Sequence, residues 1–194
     1  MNIAMSFAIK GKKVLVIDGD LRHGSASSYI DSPDKGLSDY LGGRIDKLDE
    51  IIVPDPRHKS MDILPVGTIP PNPTELLFDE RLKQAIDAVR ERYDYVLIDC
   101  PPIELVADTQ IIEKLGDRTI FVVRAGLLER SMLAELEKIY GEKKYKNMSL
   151  ILNGGRYGYR YGYRYGYHYG YGSGYHYSSD EKRVGGVNGW LSND

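Results

Sequence analysis

Two short apolar runs in this 194-residue chain end in carboxylates, and a third stretch is crowded with phenols. Val14 to Ile17 leads into Asp18-Gly19-Asp20-Leu21-Arg22, setting two acids and a guanidinium just past the first run. Tyr95 to Ile98 leads into Asp99-Cys100-Pro101-Pro102. A carboxylate at the end of a buried strand is costly unless a cation or hydrogen bonds offset it. Mg²⁺ supplies such an offset, often through retained waters, and completes its shell with phosphate oxygens. One strand-end Asp is equally well explained as a cap of the following helix. Two strands carrying the same feature favour phosphate chemistry.

The phenols lie between Gly155 and Tyr177, where ten of the sixteen tyrosines sit: Tyr157, Tyr159, Tyr161, Tyr163, Tyr165, Tyr167, Tyr169, Tyr171, Tyr175 and Tyr177. Gly, Arg and His separate them, and no Leu, Ile or Val is present to build a core. A phenol with a pKa of about 10 is a weak nucleophile. Held in line with a phosphate, beside a carboxylate that takes its proton, it becomes a phosphoryl acceptor. The competing interpretation is a Tyr/Arg module for self-association or single-stranded RNA, through stacking and cation–π contacts. Arg156, Arg160 and Arg164 are few for such a footprint, and the net charge of −2 adds no bulk attraction, so no nucleic-acid partner is expected.

The acids need a scaffold that brings strand ends together. Continuous apolar runs at Val14–Asp18, Met61–Leu64, Tyr95–Asp99, Thr119–Arg124 and Ser149–Asn153 read as buried parallel strands. Apolar spacing at Ile3, Ala4, Phe7 and Ala8 gives a first helix stopped by Gly11. It has no N-cap and reads as the back half of a longer helix. The spacing predicts one helix over Pro73–Arg92, capped by Asn72 with Glu75 closing a capping box, and with Leu76, Leu77, Leu82, Ala85, Ile86 and Val89 as its apolar stripe. Asp108–Leu115 and Glu129–Tyr140 are shorter helices. Strand alternating with helix implies an α/β fold with a mostly parallel sheet covered on both faces. Ligands of such sheets bind beyond the carboxyl ends of the strands, where the acids are.

Residues 1–153 form the expected globular domain and 154–194 a low-complexity, disordered tail. One cysteine excludes a disulfide framework and accords with a reducing compartment. Cys100 reads as a packing residue, and His168 and His176 as spacers. No run approaches the roughly 20 apolar residues of a membrane span, and no signal peptide is visible. Membrane association would have to come from a partner or from sequence outside this chain.

VLVIDGDLR resembles the Walker A′ motif, and YVLIDCPP the Walker B motif, of the bacterial tyrosine kinases of capsule and exopolysaccharide export. LPVGTIPPNPTELL, at residues 64–77, is similar to the proline-rich connection of that family, and a C-terminal tyrosine cluster is its hallmark. The resemblance covers about residues 1–177. It implies a P-loop NTPase-like fold of the partition-ATPase type, ATP with Mg²⁺, and autophosphorylation of a neighbouring subunit's tail. Asp18 and Asp20 match the Walker A′ acids and Asp99 the Walker B acid. Asp20 and Asp99 would then hold Mg²⁺ directly or through water, and Asp18 would orient or deprotonate the phenol. Asn153 resembles an adenine-contacting asparagine, or is a turn cap. Arg22 faces a phosphate or pairs with Asp20.

The family's GxxxxGK[ST] loop is missing from the sequence, and neither Gly42-Gly43 nor Gly185-Gly186 replaces it. The chain therefore reads as lacking the loop and the strand before it, and as inactive alone. Loss of that strand would expose apolar edges. The resemblance further implies a homo-oligomeric ring, a membrane adaptor on the same or a separate chain, a tyrosine phosphatase as partner, and a place at the inner face of the plasma membrane. Partition-type ATPases share the Asp motifs but offer no reason for the tyrosines.

Overall fold

The computed structural model describes residues 1–102 and 108–155. In chain order the elements are α1 (Asn2–Ile9), β1 (Val14–Asp18), α2 (Leu37–Leu41), β2 (Val53–Pro54), β3 (Met61–Leu64), α3 (Pro73–Phe78), α4 (Glu80–Arg90), β4 (Tyr95–Asp99), α5 (Asp108–Glu113), β5 (Ile120–Arg124), α6 (Arg130–Gly141) and β6 (Ser149–Asn153). The tail tyrosines lie outside the described residues.

Four strands pair in the order β2-β3-β1-β4. Parallel pairing joins β1 to both β3 and β4, while β2 runs antiparallel to β3. All five residues of β1 are buried, as an uninterrupted apolar run at the centre of a sheet requires. Side chains alternate between two cores. Val14, Val16, Met61, Ile63 and Leu97 pack with Ala4 and Ala8 of α1. Leu15, Ile17 and Leu64 pack with Leu77 of α3, the Leu82/Ala85/Ile86/Val89 stripe of α4, and Ile111 and Ile112 of α5. The expected mostly parallel α/β architecture with helices on both faces is what this sheet shows.

The remaining strands, β5 and β6, pair in parallel as a separate two-stranded sheet. Among the described residues no strand joins β4 to β5, so the expected sheet comes in two pieces. Val122, Leu150 and Leu152 of this second sheet are 62%, 55% and 66% exposed.

One helix predicted over 73–92 is two. Asp79 is extended (φ −67, ψ 142), and its side chain accepts from Arg81 N at 2.8 Å, starting α4 afresh. A good N-cap residue inside an apolar stripe thus breaks the helix without disturbing the stripe. Asn72 donates to Glu75 Oε2 at 2.8 Å and makes no side-chain cap. Helix α2 lacked any predicted counterpart, because its signal is tertiary. Asp39 accepts from Gly36 N at 3.0 Å, Thr68 N at 3.2 Å and Arg44 Nε at 2.9 Å, pinning the proline-rich connection to α2. Burial alone would raise the Asp39 carboxyl. The bonds from Arg44, Thr68 and Gly36 outweigh it and hold the group below its ordinary value. No described helix is long and apolar enough to cross a membrane.

Candidate functional site

The register of β1 with β4 sets Asp18 directly beside Asp99, so two acids 81 positions apart in the chain close one sheet end together. Gly19 makes this possible. Its N–H donates to Asp99 O at 2.8 Å, and a Cβ there would stand 2.9 Å from the same oxygen and 3.1 Å from Ile112 Cδ1. Only glycine lets the chain leave β1 this close to β4.

Asp18 is fully buried. Ser27 donates both its N–H and its hydroxyl to Asp18 Oδ2, each at 2.7 Å, while Oδ1 has no partner. Asp99 is exposed and accepts from Ser25 Oγ at 3.2 Å. Asp20 turns toward its own loop, where Oδ1 accepts from Arg22 N at 3.1 Å and His23 N at 3.2 Å, and Oδ2 lies 3.3 Å from His23 Nδ1. The Cys100 thiol is pushed up to about 12, first by burial and then by the charges of Asp99, Asp20 and Asp18. A thiol so buried is no nucleophile.

Arg22 does not pair with the Asp20 carboxylate. Its Nε reaches Asp108 Oδ2 at 3.2 Å and its Nη2 reaches Thr74 Oγ1 at 3.0 Å, while Thr74 donates to Asp108 Oδ1 at 2.6 Å. Asp108 is almost wholly buried at the start of α5. This triad ties the loop after β1 to the starts of α3 and α5. Asn153 ends β6 opposite Arg124, exposed, and no hydrogen bond links it to the acids among the described residues. Ser25, Ser27, Thr74 and Asp108 were not foreseen as parts of the site. Asp108 read as the first residue of a helix, and the serines carry no spacing signal.

An unpartnered, fully buried carboxylate oxygen beside a second acid suits a hard divalent cation such as Mg²⁺. Among the described residues no three His, Cys, Asp or Glu side chains stand close enough to ligate one ion together. An ion held largely through waters is the form that fits.

Burial, and then the charge of Asp99, raise the Asp18 carboxyl above its ordinary value of 3.8, although the Ser27 bonds pull it down. A group raised in this way binds its proton more tightly folded than unfolded. Its contribution to stability is full below the ordinary value and is lost as pH rises through the raised one. Asp18→Asn, which keeps an acceptor for Ser27, removes that slope. In thermal melts from about pH 4 to about pH 7, the variant should gain on the parent as pH rises. Parallel curves would contradict the assignment.

Residues 1–129 match the family described as AAA domain. The chain is 34% identical over 165 residues to the tyrosine-protein kinase YwqD of Bacillus subtilis (strain 168), covering 81% of this chain and 69% of that protein. Among solved structures it resembles the kinase domain of Escherichia coli tyrosine kinase ETK, with a TM-score of 0.72, 32% identity, and coverage of 85% of this chain and 64% of that one. It also resembles the septum site-determining protein MinD complexed with Mg-ADP from Pyrococcus horikoshii OT3, with a TM-score of 0.63, 27% identity, and coverage of 81% and 63%. The chain spans about two thirds of the length of the Bacillus subtilis and Streptococcus agalactiae relatives and about a fifth of the Erwinia amylovora and Ralstonia solanacearum ones.

Proposed function

Because this chain belongs to the bacterial tyrosine kinase family, we propose that its acids serve phosphoryl transfer from ATP to the tyrosines of a neighbouring copy's tail. The observation that carries this is the pairing of buried Asp18 with Asp99 across β1 and β4, with one Asp18 oxygen unclaimed. Asp20 and Asp99 hold Mg²⁺, directly or through water. Bound there, the ion neutralises charge on the β- and γ-phosphates.

Asp18, fixed through Oδ2 by Ser27, helps orient or deprotonate the phenol. Burial makes it a better proton acceptor than an exposed carboxylate, and it takes the hydroxyl proton as the phenol oxygen attacks. Arg22, occupied by Asp108 and Thr74, steadies the Asp20 turn from outside. Asn153 contributes its amide to adenine recognition.

Each phosphate adds about −1.5 to −2 charges. A few of them outweigh Arg156, Arg160 and Arg164 and turn the tail anionic. Accumulated charge then drives tails out of the acid-lined pockets and loosens a ring of subunits. The setting is control of capsule or exopolysaccharide export at the inner face of the plasma membrane, reached through an adaptor and reset by a phosphatase.

No GxxxxGK[ST] loop is present in the 194 residues, so the backbone cradle and lysine for the β- and γ-phosphates are not supplied by them. Calorimetric titration of the chain with ATP and Mg²⁺ should show binding weaker than micromolar. Micromolar affinity would overturn that incompleteness. The likeness to MinD supports a second possibility, a nucleotide-dependent switch without tyrosine transfer, and an unlabelled tail would favour it.

A further inference from the structure

A second chemically distinct place lies at the N-terminal ends of β5 and β6. A cavity of about 690 Å³ is lined by Arg118, Tyr140, Lys143, Tyr145, Lys146 and Asn147, among others. The backbone builds it. Lys143 (φ 52) and Asn147 (φ 44) adopt left-handed conformations after α6 and fold the segment back, so that Thr119 N donates to Lys146 O at 2.9 Å. Tyr145 is 7% exposed and locked edge-on against Phe121, with ring centroids 5.1 Å apart, which gives the cavity one rigid aromatic wall.

The electrostatics are one-sided. Residues 138–146 carry four lysines and one glutamate, and Arg118 adds a fifth cation. Two of the nearby acids are ion-paired, while Glu113 is hydrogen-bonded to a backbone amide and keeps its charge. Glu142 pairs with Lys144 at 2.8 Å, Asp117 pairs with Arg90 at 2.8 Å, and Glu113 accepts from Lys146 N at 2.7 Å. Lys146 Nζ donates to the carbonyls of Lys114 and Gly116, which fix its position without neutralising it. Arg118 reaches only Ser149 Oγ, at 3.3 Å, and neither it nor Lys143 forms an ion pair among the described residues.

Uncompensated cations beside a fixed aromatic wall suit an aryl phosphate, which offers a ring, up to two charges and three strong acceptor oxygens. Such a group is available from the same chain. Between Gly155 and Tyr177 the sequence holds three arginines and no acid, so the unmodified segment is repelled by these cations. Phosphate on a tyrosine reverses that sign locally. Reach is sufficient. Strand β6 has five residues, about 17 Å at 3.3 Å each. Tyr163 stands eight residues past Gly155 and can span about 26 Å when extended.

We propose that this cavity docks a phosphorylated tyrosine of the tail segment 157–177. The proposal rests on the tail being a phosphoacceptor. Phosphorylation then does more than expel the tail from the acids, because it gives the tail a second seat on the kinase fold.

A synthetic peptide tests docking without any kinase activity, so its failure is distinguishable from failure of the transfer chemistry. Fluorescence anisotropy would compare a labelled peptide of residues 161–171, phosphorylated at Tyr165 or unmodified, on the full 194-residue chain. The phosphopeptide should bind about tenfold tighter, the scale of one or two charge-assisted hydrogen bonds, and should weaken with salt. Lys143→Glu and Arg118→Gln should each remove most of that difference while leaving the melting temperature unchanged. Phenyl phosphate should compete better than inorganic phosphate. Equal binding of the two peptides, an unaffected Lys143→Glu variant, or equal competition by inorganic phosphate would each overturn the site.

Discussion

Gly67→Ala should destabilise the fold more than any exposed glycine substitution, by about 4 kcal/mol or more. Gly67 has φ +78, which an L side chain adopts at a cost, and its hydrogen occupies the only space available. A Cβ there would overlap the Gly36 nitrogen and Asp39 Oδ2. The reciprocal holds at Gly36, where a Cβ would overlap Pro65 O and Gly67 N. The two glycines are pressed together so that one buried carboxylate, Asp39, can satisfy the amides of Gly36 and Thr68 and the Arg44 guanidinium at once. Pushing them apart strands a buried charge and two backbone donors, a loss of about 4 kcal/mol or more against a total stability of about 5–15 kcal/mol. Gly43→Ala is the control. Its φ is +71, but nothing lies within 4 Å of the added methyl, so only the conformational cost of about 1 kcal/mol remains. Far-UV circular dichroism with thermal melts separates the two. A Gly67→Ala protein melting within a few degrees of the parent would refute the packing.

The largest functional effect should come from the tail. Incubated with ATP, Mg²⁺ and an active tyrosine kinase of the same family, the chain should take up phosphate on residues 157–177. Phe at all ten positions should cut incorporation by about tenfold or more, since in-line attack needs a hydroxyl at the acceptor. Four of the six other tyrosines are poor substitutes. Tyr40 and Tyr145 are each 7% exposed, and the Tyr93 hydroxyl donates to Asp62 at 2.7 Å. Burial first, and then that bond, raise the Tyr93 phenol above its ordinary value. Tyr95 stacks on Phe7 with ring centroids 4.2 Å apart. Tyr29 and Tyr140 remain, and residual label is expected there. Unchanged incorporation in the ten-Phe variant would remove the tail from the chemistry. Salt-sensitive retention of RNA by the same segment would support the competing module.

Strands and acids were legible in the sequence because both are local signals. An apolar run ending in Asp marks β1 and β4, and the parallel register then follows from the architecture. Helices α4, α5 and α6 announced themselves by apolar spacing. What stayed hidden was built by contacts distant in the chain. Helix α2 exists because Asp39 reaches Thr68, and Arg22 is claimed by Asp108, 86 residues away. Neither pairing has a spacing that could be read. Asp79 starts α4 afresh, a break that the continuous stripe from Leu76 to Val89 concealed. Neither the division of the sheet nor the cation-lined cavity was legible, and the walls of the cavity come from the segments before β5 and β6 together.

Titration of the isotope-labelled chain with Mn²⁺, followed by paramagnetic broadening of its amide signals, addresses the acid cluster most directly. A metal held by Asp20 and Asp99 beside Asp18 requires broadening to begin at Gly19, Gly24, Ser25, Ser27 and Cys100, and to vanish from them in the Asp20→Asn/Asp99→Asn double variant. Broadening spread over surface carboxylates such as Asp46 and Asp87, or unchanged in the double variant, would contradict a metal grip at the ends of β1 and β4.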